Sequence, residues 1–302
     1  MRLMLRVLAC MCLALSLAWM SRWTASANPA QEMLPDQSAV KARQVLQQVI
    51  AALGGQAYLN VRDTQCDGRI AQYGAAGTLM DFTLFREQWL LPDKNRTEYF
   101  TKSEHDILNV IIGGDDLFIT HGGALVTIFS GDQGWSLDKS GVSDEPADLI
   151  QTFNDQLKTD LNHMLRARLN EPGVEARYAG PDVIDLREAE WIEFTDRDHR
   201  DLRLAVDKFT HLPSRWVIAT RDPETRERTE VTTSFVQYKT QDGIKAPLSI
   251  EHSRNDRKIS QTFLTECKFN SGLDPQLFTR AALEQRASEA SKKGSKDSRT
   301  KK

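Results

Sequence analysis

EVTTSFVQYKTQDGIKAPLSIEHSRNDRKISQTFLTECKF, residues 230–269, is the stretch whose reading decides the fold. It contains three strand-like runs, Glu230–Thr240, Ile244–His252 and Lys258–Phe269, rich in β-branched and aromatic residues. Asp242-Gly243 between the first two is a tight hairpin signal, and Asn255-Asp256 between the second and third also reads as a turn. The same pattern extends upstream through Trp191–Thr195, Leu202–Asp207 and Ser214–Thr220, with a turn at His211-Leu212-Pro213. Earlier still come Tyr58–Ala71, Thr78–Leu91, Arg96–Phe100, Asp106–Ile112, Asp116–His121 and Leu125–Phe129. Short strands with regular turns predict an antiparallel meander. Strands and helices do not alternate, which argues against a doubly wound parallel fold.

Two helices interrupt this series. Asp36–Leu53 repeats Val45, Leu46, Val49, Ile50 and Leu53 at helical spacing and stops at Gly54-Gly55. The second spans about Pro146 to Asn170, with Leu149, Phe153, Leu157, Leu161, Leu165 and Leu169 every four residues and Ile150 and Met164 widening the stripe. The expected class is mainly β within α+β: a long curved antiparallel sheet with helices packed on its concave face.

The termini are different material. Arg2 and Arg6 precede the apolar run Val7–Met20, and Ala25-Ser26-Ala27 supplies an A-x-A site. This predicts a signal peptide over residues 1–27, cleaved after Ala27, and hence an exported chain; the signal specifies export only, so the expected periplasmic location stands beside a secreted or envelope-anchored one. Its apolar core is short for a membrane span, although an uncleaved anchor is the alternative. At the other end, 284–302 holds seven basic and three acidic residues and nothing apolar larger than alanine, so a disordered basic tail is expected. It could touch a membrane surface or a protein. The single domain between them spans 28–283.

The formal net charge of the 302-residue chain is −3, which disfavours a nucleic-acid binder driven by global basicity. After export two cysteines remain, Cys66 and Cys267, in the first and last strand candidates. The sequence does not place those strands side by side, so two unpaired thiols are expected ahead of a bridge. No G-x-S-x-G elbow, H-E-x-x-H pair, P-loop or strand-linked G-x-G-x-x-G occurs, and neither a metal, a cofactor nor catalysis is expected. His105 and His199 lie in charged runs that read first as polar turns and only second as sites for a hydrolase. Gly131-Asp132-Gln133-Gly134-Trp135 reads as a tight turn that sends Trp135 into the barrel interior as a buried anchor.

Several short motifs recur in a familiar order. They are Leu53-Gly54-Gly55, Leu91-Pro92-Asp93-Lys94-Asn95-Arg96, Ser130 to Trp135, Val206-Asp207 before Leu212-Pro213, Asp242 to Pro247, and Asn270 to Phe278. Together they resemble the LolA/LolB-like superfamily of envelope proteins, especially its outer-membrane lipoprotein-sorting-like branch, over about Val40–Phe278. The resemblance implies that the curved sheet is an unclosed β-barrel, a half-barrel holding lipids or lipoprotein acyl chains between sheet and helical lid. It transfers no individual functional residue. The candidate hydrophobic lining is Phe82, Phe153, Leu157, Leu161, Met164 and Leu165. The expected role is a non-catalytic lipid or lipoprotein carrier, with an interaction or sensory module whose barrel is filled as the alternative.

Overall fold

The computed structural model describes residues 33–100, 126–198, 200–221 and 225–289. Two compact units meet at Gln37/Ser38. Of the first, only 33–37 are described, including the start of helix α1 (Pro35–Leu53). Among the described residues, the second carries thirteen strands in one antiparallel sheet that does not close.

The first wing consists of β1 (Asp63–Tyr73), β2 (Leu79–Leu90), β3 (Lys94–Phe100), β4 (Val126–Ser130), β5 (Gln133–Asp138) and β6 (Gly141–Asp144). The second consists of β7 (Glu175–Ile184), β8 (Arg187–Thr195), β9 (Asp201–Asp207), β10 (Pro213–Arg221), β11 (Arg228–Gln241), β12 (Ile244–Arg254) and β13 (Arg257–Phe269). Each wing is a meander. Their seam is the pairing of β1 with β13, which leaves β6 and β7 as the outer strands. The mainly β meander expected from the turn pattern, unclosed as the resemblance implies, is what forms. Asp242, Gly243, Asn255 and Asp256 all adopt positive φ, as their hairpins require.

The seam overturns one expectation. Cys66 and Cys267 are directly opposite in register and form a disulfide. Composition could not reveal this, because it depends on which strand lies beside β1.

Paired residues on antiparallel strands share a face. Helix α1 buries Ala42, Val45, Leu46, Val49 and Leu53 against Ile192, Phe194, Leu202, Leu204 and Trp216, which defines the lid face. The predicted second helix is broken. Helix α2 (Ala147–Thr159) ends at Asp160, whose backbone is extended and whose carboxylate accepts the His163 N–H to start a new turn, Leu161–His163. A π-helical turn, Met164–Arg168, follows. The carbonyls freed at the break are taken by side chains: Trp216 Nε1 donates to Thr159 O at 2.8 Å, and Arg168 Nη1 donates to Lys158 O. A four-residue apolar repeat does not register such a break, since the stripe continues across it.

The structure moves three other boundaries. Tyr58 belongs to a helical turn, Gln56–Leu59, ahead of β1. Trp135 sits in β5, not in a turn, and faces away from the lid: it pairs with Ile128, on the side where Phe278 and Leu283 pack. The tail does not begin at Glu284, because a helix α3 runs over 280–289. Leu283 is fully buried, Ala287 packs on the same cluster, and Arg286 pairs with Glu98 at 2.6 Å. Leu283 anchors the helix, and Ala287 and Arg286 extend its docking past Glu284. The signal peptide expected at 1–27, the strands expected at Asp106–Ile112 and Asp116–His121, residues 290–302, His105 and His199 lie outside the described residues.

Candidate functional site

The six predicted lining residues fall in three places. Leu161, Met164 and Leu165 are buried in the main core beside α1. Phe153 of α2 stacks on Phe129 and Trp89, with ring centroids 4.5 and 5.9 Å away, and Leu157 is half-buried. Phe82 is a correction. On the regular strand β2 it has opposite parity to Trp89, so it faces away from the lid and is 49% exposed, with the Arg69 guanidinium 5.5 Å above its ring. Alternation along one strand separates the two faces, and an apolar residue on the wrong parity cannot join a lining on the other side.

The lid face itself is organised in rows. Cross-strand register links Ile192, Leu204, Trp216, Thr233, His252, Ser260, Gln72 and Asp81 from β8 across to β2. The row is apolar over β8–β10 and polar from β11 onward, yet Thr233, His252, Ser260 and Gln72 are all buried. A second row alongside, Phe235, Ile250, Thr262, Ile70 and Thr83, is mixed. Nearer the wing's other end, two glycines make room for rings. A Cβ on Gly68 would stand 2.6 Å from the Phe263 carbonyl oxygen and 3.2 Å from the Phe85 ring, and one on Gly134 would stand 3.0 Å from Glu145 Cβ and 3.1 Å from the Phe129 ring. Beside the Trp89 layer, burial pushes the Glu87 carboxyl up, while hydrogen bonds from Trp89 and Asn95 oppose that shift.

Thr233 Oγ1 lies 3.1 Å from His252 Nδ1, whereas Ser260 Oγ has no hydrogen-bond partner. The histidine next to this serine is therefore hydrogen-bonded to a threonine and not to the hydroxyl it would have to activate in nucleophilic catalysis. Among the described residues no group of three or more His, Cys, Asp or Glu is placed to hold a metal. This polar band was missed in the sequence because its members lie on five strands and only register assembles them.

Burial pushes the His252 pKa down to about 4 from its ordinary 6.5. The unfolded chain then binds a proton in a range where the folded chain does not. Stability is therefore full above about pH 6.5 and falls as pH drops toward about 4, by on the order of 3 kcal/mol in all. Urea midpoints measured across this range should show that loss, and His252→Gln should remove it. An unchanged pH profile in the variant would contradict the assignment.

A second polar feature lies under the helix break. Asp196 is buried and accepts Arg200 Nη1 at 2.6 Å and Arg168 Nη2 at 3.3 Å, as well as the Arg200 N–H. Burial works against its charge, but these donors hold the carboxyl below the usual range. The adjacent depression, about 470 Å³, is lined by Lys158, His163, Arg168, Glu171, Arg197 and Asp198. Both Arg168 and Lys158 are already ion-paired there, with Glu171 and Asp155.

No protein-family model and no curated protein matches the chain. Solved structures do match. A DUF1329 family protein from Desulfovibrio piger superposes with a TM-score of 0.54 at 13% identity, over 80% of this chain and 98% of that one. A domain described as outer membrane lipoprotein-sorting, from Vibrio parahaemolyticus, gives 0.52 at 12% identity over 82% and 99%. A LolA superfamily protein from Nitrosomonas europaea gives 0.50 at 13% identity over 80% and 99%. The chain has a LolA-like fold. In LolA-like terms, β1–β13 form the open sheet and α1 and α2 cover one of its faces. α3 packs on the other face, outside the lid arrangement expected from the motif order.

Proposed function

We propose that this protein is an exported, non-catalytic carrier that binds the acyl chains of a lipid or lipoprotein on the lid face of the sheet, in the bacterial periplasm. The observation that carries the reading is how differently the two covering helices are held. Helix α1 has six buried residues; α2, thirteen residues long, has one, Phe153. Its last turn is held by Trp216 and Arg168 at the break, but ahead of that Phe153 and the Asn154–Gly131 hydrogen bond are its main ties, so the helix can swing about the break with few buried contacts to give up. Lifting it would uncover Trp89 and Phe129 for an alkyl chain, and each methylene buried there contributes about 0.8 kcal/mol. The polar part of the row suits the ligand's head group. The LolA-like fold supports the same reading, since a half-barrel face beneath helices is a common ligand site.

A second reading is an envelope interaction module with a filled interior. It is favoured by Leu161, Met164 and Leu165, which are packed into the core. Native mass spectrometry of protein purified from a bacterial envelope, followed by organic extraction, separates the two. The carrier reading expects a stoichiometric acyl lipid, and a several-fold change in its retention in Phe153→Ala. Protein that carries no lipid and takes up neither added phospholipid nor added lipopeptide would replace that reading with the filled module.

A further inference from the structure

We propose that one end of the second wing is a docking tip for a lipid bilayer surface, formed by Leu186 and Val183 of the β7–β8 hairpin and Phe209 of the adjoining β9–β10 turn. The hairpin is a two-residue turn in which Asp185 and Leu186 have φ of 50° and 64°. Both turn positions require left-handed backbone, and the second is ordinarily glycine. An aspartate tolerates this conformation through local hydrogen bonds of its short side chain, but a leucine has none to offset the crowding of its Cβ against the carbonyl oxygen. The strain does nothing for packing, because Leu186 is 99% exposed and Val183 is 64% exposed. A strained residue that packs against nothing inside the protein is explained by a contact outside it.

The neighbouring turn adds a second apolar point. Asp207 accepts hydrogen bonds from the Phe209 and Thr210 N–H groups and from the Thr210 hydroxyl, which fixes the loop and leaves Phe209 72% exposed. Ala189 pairs with Asp207, and Lys208 N–H donates to Glu188 O at 3.0 Å, so the two turns emerge at the same end of adjacent hairpins. Their carboxylates are matched by cations. Asp207 pairs with Arg187, Glu188 with Lys208 and Asp185 with Arg215. The end of the wing is thus apolar at its points, with no unpaired carboxylate among those three to repel an anionic head group.

The shape selects the partner. These side chains stand on separate rigid turns and line no groove, so a protein would need a matching pocket for each. The interfacial layer of a bilayer accepts an isolated Leu or Phe without shape matching, and Arg187 and Lys208 just behind stay on Asp207 and Glu188, so the tip meets the head groups with these carboxylates neutralised. The inference does not depend on what the lid face binds.

Flotation of the purified protein with vesicles of phosphatidylethanolamine and phosphatidylglycerol tests it. Leu186→Asn removes the apolar point and replaces leucine with a residue that adopts left-handed backbone readily, so the variant should fold with an equal or higher Tm. Its vesicle partitioning should nonetheless fall about tenfold, and Phe209→Ser should give a similar loss. Leu186→Trp should show a blue shift in fluorescence on adding vesicles. Partitioning that is unchanged in both apolar-to-polar variants overturns the proposal. So does binding that vanishes on deleting 290–302 alone. A Leu186→Asn defect confined to a protein partner, with no vesicle binding by the parent chain, would assign the tip to that partner and overturn the lipid reading.

Discussion

Replacing Arg168 with methionine is expected to destabilise the protein by about 3 kcal/mol, measured as the shift in urea-unfolding free energy. The side chain is buried and every face of its guanidinium is used. Nε donates to Glu171, Nη1 to the Lys158 carbonyl and Nη2 to Asp196. Methionine fills much of the volume but returns none of these bonds. Asp196 then keeps a buried charge with one guanidinium fewer, and the Lys158 carbonyl at the helix break loses its donor. Arg200 still holds Asp196 at 2.6 Å, which is why the loss stays at the lower end of the range for a broken buried pair. Arg168→Lys should fall between the two, because a single ammonium cannot serve three acceptors in a fixed fork. In the double variant Arg168→Met with Asp196→Asn, the losses should be less than additive, since the uncompensated charge is gone. A loss below about 1 kcal/mol in the methionine variant would mean that the network does not hold the break together.

The second large effect is at the seam. Cys66→Ala with Cys267→Ala should lower unfolding stability by about 2–5 kcal/mol, and reductant should lower the parent chain equally. The bridge spans 201 residues of sequence, so in the unfolded chain it removes much of the freedom that the ends of the body would otherwise have. It also joins the two strands that hold the wings together. Because Cys66 and Cys267 are opposite in the pairing, the reduced protein should keep the same register and unfold at lower urea concentration with a native circular dichroism spectrum beforehand. Equal stability of oxidised and reduced protein would show that the bridge does not form.

The strand order was readable wherever turns carry chemistry. Asp242-Gly243 and Asn255-Asp256 demand left-handed backbone and therefore announce their hairpins. β7 was invisible because Glu175–Ile184 is an outer strand, exposed at alternate positions, with Gly180 and Pro181 in its middle. β5 and β6 were hidden behind glycines with different tasks: Gly134 is in a strand, where it leaves room for Glu145 and the Phe129 ring, whereas Gly141 has open space around it and a positive φ. The helical stripe named Phe153, Leu161, Met164 and Leu165 correctly as apolar and inward-facing, but it could not separate the one on α2 from the three in the core. Phe82 failed because strand parity has meaning only once the partner strands are known. The buried polar band of Thr233, His252, Ser260 and Gln72 was unreadable for the same reason.

The sheet order also bears on when the protein can fold. Within each wing, every strand pairs with its neighbour in sequence, so both wings can form from local contacts as the chain emerges. The seam cannot. β1 waits for β13, the last of the described strands to be synthesised, and until Arg257–Phe269 is available both β1 and β12 present bare hydrogen-bonding edges in what will become the middle of the sheet. A chain cut short before that strand should therefore be more than slightly weakened. It should yield two half-sheets able to pair with each other, or with those of another molecule, which makes the final strand the element that decides between a finished monomer and an aggregate.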